Sequence, residues 1–197
     1  MTWESELEEL RQRQALAREM GGPDKIARQR AAGRLTVRER IGALLDAGSF
    51  REIGSITGNG AYDESGALQS MTPTNFLFGR GLIEGRRVVV AGDDFTVRGG
   101  ASDASIIEKQ VAAEQMAHEL RLPMIRLIEG SGGGGSVKSL EAMGYTYVPF
   151  LPGFDHMVRN LAMVPVVSLG LGPIAGFGAA KVVQSHYSLL VRGQSQM

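Results

Sequence analysis

The sequence of 197 residues contains no cysteine, no excess of either charge and no long apolar run. Without cysteine a disulfide framework, a thiol nucleophile and a cysteine-ligated metal site are excluded, and the composition suits a reducing compartment. The 21 basic residues balance 21 acidic ones, which argues against nucleic acid or an anionic membrane as a partner. No stretch approaches the roughly 18 apolar residues of a membrane span, so we expect a cytoplasmic protein.

Glycine, by contrast, is abundant, with 27 residues in the chain. Many of these glycines fall in two loops, GSGGGG (130–135) and GLGPIAGFG (170–178), and each loop follows an apolar run. Glycine clustered in this way indicates that the main chain comes close to another group.

Residues 1–47 predict an N-terminal helical arm, since leucines recur near the helical period and Gly21-Gly22-Pro23 interrupts them. Thr36 and Glu39 have the spacing of a capping box, which predicts a helix from Val37 to about Asp46. Residues 48–197 are predicted to form the main domain.

The main domain shows strand patterns that alternate with helical ones after an initial β region. A strand is predicted over 50–57, an irregular loop over 58–70, and a hairpin from 77–83 and 87–91. Ser102 or Asp103 is predicted to cap a helix that reaches Arg121. The later segments are strands at 123–129, 165–169 and 187–191 and helices over 153–163 and before the last strand. This order predicts an α/β fold with crossover connections.

Four interpretations compete for the first glycine loop. A P-loop is excluded because Lys138 follows Gly135 too late, and a nucleophile elbow is excluded because Glu129 occupies a glycine position. A dinucleotide-binding turn is formally possible, although any oligoglycine matches its pattern. The fourth interpretation is an oxyanion hole built from successive backbone N–H groups.

The second glycine loop has the same construction as the first. Pro173 is predicted to fix a turn before Ala175 and Gly176 open a helix. A tight strand-to-helix corner explains one such loop, but two at the ends of neighbouring parallel strands would place donors at one edge of the sheet, where ligands bind in such folds.

Other polar residues favour simpler interpretations. Asp93 and Asp94 are adjacent and are interpreted as turn residues, and Phe177 as a core residue. Five arginines form either a solvated helix face or a local anion site, and three scattered histidines do not predict a metal site. These residues are Arg28, Arg30, Arg34, Arg38 and Arg40, and His118, His156 and His186.

Four segments together resemble a known family. They are RQRAAGRLTVRERIGALLDAGSF (28–50), GRGLIEGRRVVVAGDDFTVRGG (79–100), the loop around Ser131-Gly132-Gly133, and GPIAGFGAA (172–180). In this order they resemble the carboxyltransferase (beta) subunit of biotin-dependent acyl-CoA carboxylases, the propionyl-CoA and methylcrotonyl-CoA carboxylase group. The resemblance implies a crotonase-like fold of repeated ββα units and the transfer of a carboxyl group from carboxybiotin to the α-carbon of an acyl-CoA.

The resemblance also implies roles for single residues. Gly132 and Gly133 match the donors to the thioester oxyanion. Gly134, Ala175 and Gly176 match positions that line the acyl-CoA pocket. Arg34 and Arg38 match a region near the nucleotide end of CoA.

The partners implied by the resemblance are a biotin carboxylase or biotin carboxyl carrier subunit, which brings the biotin, a C-terminal carboxyltransferase half and further copies in a homo-oligomer. This sequence departs from the family pattern: an aspartate and an arginine are replaced in the first glycine loop, and Gly176-Phe177-Gly178 stands for Gly-Gly in the second. It also corresponds to the N-terminal half only. Two alternatives therefore stay open, a non-catalytic CoA-binding or assembly module and an acyl-CoA decarboxylase subunit.

Overall fold

Three helices form the N-terminal part of the computed structural model, which describes residues 2–101, 106–130 and 154–197 together with residues 137, 140, 141 and 144. They are α1 (Glu4–Arg18), α2 (Pro23–Ala31) and α3 (Val37–Leu44). The predicted capping box is confirmed, because the Thr36 hydroxyl accepts from the Glu39 N–H and the Glu39 carboxylate accepts from the Thr36 N–H. The helical arm is thus present, and its boundary at residue 47 stays a prediction.

A six-stranded sheet follows the arm. In spatial order its strands are β1 (Arg51–Ile53), β4 (Phe76–Ile83), β5 (Arg86–Asp93), β6 (Met124–Gly130), β7 (Val166–Ile174) and β8 (Tyr187–Leu190). The first three strands are antiparallel, whereas β5 to β8 are parallel. The predicted hairpin is confirmed as β4 and β5, and its turn contains Glu84 and Gly85 at positive φ.

Helices cover both faces of this sheet. On one face α4 (Ile107–Leu120), α5 (Phe154–Met163) and α6 (Phe177–Val183) follow the parallel strands. On the other face α3 of the arm packs against the sheet. Strand β6 contributes to the apolar core on each face because its side chains alternate. Met124 packs in the core beneath α4, and Ile125 and Leu127 pack in the core beneath α3. The predicted α/β class with crossover connections is confirmed.

Where an irregular loop was predicted, the structure has a second, two-stranded sheet of β2 (Gly58–Tyr62) and β3 (Leu68–Pro73). The prediction is wrong because contacts with a distant part of the chain stabilise this small sheet. Helix α1 packs on β3, and Arg13 donates to the Tyr62 hydroxyl at 2.9 Å. The Asp63 carboxylate accepts from the N–H groups of the turn and so closes the hairpin. The strand predicted over 50–57 is confined to β1.

The second glycine loop is shorter than predicted, because β7 continues through it to Ile174. Gly170 and Gly172 lie inside the strand, where a Cβ at Gly172 would fall 2.2 Å from the Glu129 carboxylate. These glycines therefore permit close packing, and the turn itself consists of Ala175 and Gly176.

The helix predicted after Ser102 or Asp103 is present as α4, while Ser102 and Asp103 themselves lie outside the described residues. The helix begins at Ile107 with Ile106 at the N-cap position and no side-chain cap. In the described parts of the chain, no helix is long and apolar enough to cross a membrane.

Candidate functional site

The carboxyl ends of β6 and β7 lie side by side and form the candidate site. Gly130 pairs with Ile174 in the parallel ladder, and the Ala175 N–H donates to the Gly130 carbonyl at 3.0 Å. The strands that precede the two glycine segments therefore end at the same side of the sheet. Gly132, Gly133 and Gly134, the predicted oxyanion and pocket residues of the first loop, lie outside the described residues.

Ala175 and Gly176 are exposed at this edge, immediately before α6. Gly176 has φ 56° and ψ −124°, a backbone conformation that side chains disfavour. Within the described part of the chain, its N–H has no hydrogen-bond partner. The Ala175 N–H is already used by Gly130.

Glu129, the residue before Gly130, is completely buried although it carries a carboxylate. It accepts from Gln29 Nε2 at 2.9 Å and from Arg34 Nη1 at 3.1 Å, and Arg40 Nη1 lies 2.5 Å from its Oε2. All three partners belong to the helical arm and the segment that joins its helices. Sequence reasoning used Glu129 only to exclude a nucleophile elbow; the available signal was a pair of charged residues, Arg126 and Glu129, in a mainly apolar strand, MIRLIEG.

The arm arginines are paired with carboxylates. Arg34 contacts Glu129, and Arg38 forms a two-point ion pair with Glu52 at 2.7 and 3.3 Å. Their side chains are only 22% and 25% exposed. For Arg34 and Arg38 the interpretation as a solvated helix face is therefore wrong, whereas Arg28 and Arg30 are exposed, as it expects. The predicted contact of Arg34 and Arg38 with CoA stays a prediction.

A second group of buried charges lies on the opposite face of the sheet, between α4 and α6. Arg126 donates to both oxygens of Glu114 at 2.7 and 3.0 Å. A small cavity beside this pair is also lined by Asp93 and Lys181. Burial raises the pKa of Asp93 and lowers the pKa of Lys181, since each charged form loses water.

The interpretation of Asp93 and Asp94 as turn residues is confirmed for Asp94, whose carbonyl accepts from the Val97 N–H at 3.2 Å, and is wrong for Asp93. Asp93 ends β5, and its Oδ2 accepts from the Glu129 N–H at 3.3 Å. Asp94 is buried and accepts from the N–H and the hydroxyl of Thr96. The two acids thus fix the chain beside the candidate site.

The histidines and Phe177 make separate local contacts. The rings of His118 and His156 are 5.5 Å apart, whereas His186 bridges Val166 and Leu161. Phe177 is half-buried, with the Lys181 ammonium 5.1 Å from its ring centre. Among the described residues, no group of three or more histidines, cysteines or acids is placed to hold a metal ion.

Comparison with known proteins decides the family. The family model named Carboxyl transferase domain matches residues 28–197, which include the end of the arm, the whole sheet and both glycine segments. The chain belongs to the carboxyl transferase domain family. The resemblance seen in the sequence is confirmed.

Two relatives and one solved structure illustrate the range of similar proteins. The propionyl-CoA carboxylase carboxyltransferase subunit of Haloferax mediterranei is 30% identical over 100% of this chain and 37% of the relative. The methylmalonyl-CoA decarboxylase subunit alpha of Veillonella parvula is 26% identical over 100% of this chain and 38% of the relative. The transcarboxylase 12S crystal structure, a hexamer with methylmalonyl-coenzyme A and methylmalonic acid bound, superimposes with a TM-score of 0.78 at 24% identity, over 100% of this chain and 38% of that one.

These matches confirm the crotonase-like fold. The carboxyl transferase domain described here spans a little more than a third of the length of the relatives it matches. Within it, the exposed main chain of Ala175 and Gly176 follows β7 and lies beside the buried ion pairs of Glu129 at the end of β6. Such an edge can bind a carbonyl group and stabilise negative charge on it without a titratable side chain.

Proposed function

We propose that this chain is the carboxyltransferase component of a cytoplasmic biotin-dependent acyl-CoA carboxylase, and that it transfers a carboxyl group carried by biotin to the α-carbon of an acyl-CoA. The observation that supports this most directly is the family match over residues 28–197, which includes both strand ends at the candidate site. The glycine-rich edge supplies what the chemistry of that reaction needs.

Carboxylation of a thioester at its α-carbon proceeds through an enolate, so negative charge develops on the thioester oxygen. Backbone N–H groups stabilise such a charge when they are fixed in advance. We assign this task to Gly132 and Gly133, and we assign the lining of the acyl-CoA pocket to Gly134, Ala175 and Gly176. The exposure of Ala175 and Gly176 supports the assignment of these two residues.

Biotin would be carried by a biotin carboxylase or biotin carboxyl carrier subunit, and when bound it supplies the carboxyl group. The exposed turn at Ala175 and Gly176 leaves room for the planar ureido part of biotin beside the thioester, because it carries little side-chain bulk. The chain's own residues bind and orient the thioester beside it. A C-terminal carboxyltransferase half and further copies in a homo-oligomer complete the proposed assembly.

Arg34 and Arg38 are proposed to face the phosphates at the nucleotide end of CoA. A guanidinium has five N–H donors, and each of these arginines uses only part of its set on a carboxylate. Both side chains keep some contact with solvent. They can therefore hold the fold and meet a phosphate at once.

A decarboxylase subunit is a second candidate function, and the relative from Veillonella parvula favours it. The two functions share the enolate and differ in the direction of the reaction. The same site would then remove a carboxyl group from an acyl-CoA. Carboxylation and decarboxylation assays with the complete enzyme would distinguish them.

The proposal is tested by calorimetric titration of the chain with acyl-CoAs of increasing chain length and with NAD. We expect binding of CoA thioesters and none of NAD. Ala175→Leu should weaken acyl-CoA binding by tenfold or more because its side chain enters the pocket, whereas the control Ala61→Leu, at an exposed alanine on β2, should not. Binding of NAD at micromolar concentration without binding of CoA thioesters would overturn the assignment.

A further inference from the structure

We propose that Glu129 is a positioning residue, through which the helical arm aligns the ends of β6 and β7 for stabilisation of the enolate. The inference rests on the proposed function, which it extends to a residue whose side chain contacts neither substrate nor biotin. It is carried by four observations on Glu129 and its surroundings.

The first observation is the set of partners. Two hydrogen bonds and one ion pair reach the buried carboxylate from Gln29, Arg34 and Arg40. Gln29 and Arg40 are themselves buried. The arm therefore contacts the end of β6 through one side chain, that of Glu129, shortly before the first glycine segment.

The second observation is the tight space around the carboxylate. Gly172 of β7 lies against it so closely that a Cβ would fall 2.2 Å from Glu129 Oε1. Arg40 also donates to the Leu171 carbonyl at 3.2 Å. The same arginine thus contacts the side chain of one strand and the backbone of the next, and this fixes the two strand ends relative to each other.

The third observation concerns the main chain. The Glu129 N–H donates to Asp93, and the Gly130 carbonyl accepts from Ala175. A Cβ at Gly100 would meet Glu129 and Gly130 at 2.8 Å. The backbone at the end of β6 is therefore in contact with Asp93, Ala175 and Gly100. The contacts of the Glu129 side chain with the arm add to these.

The fourth observation is energetic. A buried ion pair is often no more stabilising than an apolar replacement, because both charges lose water. Stability alone therefore gives little reason for a carboxylate with three partners at this point. Placement of the strand ends within a fraction of an ångström is what an oxyanion site requires.

The test compares two ligands of the same chain by calorimetry. One is an acyl-CoA, which represents the ground state, and the other is a CoA nitronate, a stable anion that carries the charge of the enolate. In Glu129→Gln we expect the nitronate to bind about tenfold more weakly, while acyl-CoA affinity changes less than twofold, because alignment matters most for the charged state. The control Arg30→Gln, which removes an exposed ion pair of the same arm, should change neither affinity.

Gln29→Leu is the second variant, because it removes one neutral donor to Glu129 and leaves the ion pairs in place. It should weaken nitronate binding about threefold and acyl-CoA binding hardly at all, whether or not Glu129→Gln folds. Equal weakening of both ligands, or unchanged nitronate affinity in a folded variant, would overturn the inference alone. Failure of the wild-type chain to bind either CoA ligand would overturn the proposed function, and this inference with it.

Discussion

Lys109 of α4 is a buried lysine whose charge opposes folding. Its ammonium donates to the Gly54 carbonyl at 2.9 Å and lies 4.0 Å from Glu52. Burial lowers the pKa of Lys109 to about 8, although the nearby Glu52 carboxylate acts in the opposite direction. In the unfolded chain a lysine has a pKa of about 10.4.

The pH dependence of stability follows from this difference. Below pH 8 both states are protonated, and the folded state carries the full cost of the buried charge. Between pH 8 and about 10 the unfolded state binds more protons, so the contribution of Lys109 to the free energy of unfolding rises by about 1.4 kcal/mol per pH unit.

Urea unfolding at pH 7, 8, 9 and 10 should therefore show wild type gaining stability relative to Lys109→Met by about 2 kcal/mol over the upper half of this range. Lys25→Met, at an exposed lysine on α2, is the control against which the gain is measured. A difference between wild type and Lys109→Met that stays constant from pH 7 to 10 would contradict the prediction.

Single residues also show where sequence reasoning stops. Glu129 was visible as an acid in a mainly apolar strand, yet its partners lie 89 to 100 residues away in the chain. Side-chain pairing over such separations depends on tertiary structure. Composition and spacing therefore indicated the glycine segments but not the buried charges beside β6.

At the scale of the helix, the capping box of α3 is a local feature that the sequence predicted correctly. Thr36 is buried, and Thr36→Ala removes the acceptor of the Glu39 N–H. The expected loss is about 1 to 2 kcal/mol in the free energy of unfolding, measured by urea titration. Thr36→Ser keeps the hydroxyl and should recover most of the loss, whereas an equal loss in both variants would assign the effect to the methyl group.

Strands and loops were predicted less well than this helix, for a physical reason. The hairpin of β4 and β5 has apolar runs around a short turn, so its signal is local. Strands β2 and β3 lack such runs and depend on contact with α1. Gly170 and Gly172 were interpreted as turn residues because glycine is common in turns, but here it permits close approach of β7 to its neighbours.

For the whole molecule, the family resemblance predicted the architecture better than periodicity did. Alternating strands and helices gave the α/β class, while the crotonase-like fold came from four motifs in a fixed order. The site was predicted in the same way, and the structure shows that β6 and β7, the strands that precede the two glycine segments, are parallel neighbours. The buried charges beneath that edge have no counterpart in any local pattern.

Strand β8 forms one edge of the main sheet, and all four of its residues are exposed. Apolar side chains at and beside this edge are 38 to 65% exposed, namely Val183, Tyr187, Leu189, Leu190 and Met197. An edge strand that has a neighbour on one side only, and that exposes apolar side chains, is a template for pairing with another chain. We propose that another part of the assembly covers this edge in the complete enzyme, and that a second copy covers it in the isolated chain.

We therefore expect the purified 197-residue chain to self-associate at tens of micromolar in sedimentation velocity experiments. Leu189→Lys places a charge on the edge strand and should shift the chain towards monomer, because pairing with a second copy would remove water from the lysine ammonium. Leu35→Lys alters a similarly exposed leucine in the arm and should leave the association unchanged. A wild-type chain that sediments as a monomer, or equal effects of the two lysines, would show that β8 is not the surface through which copies meet.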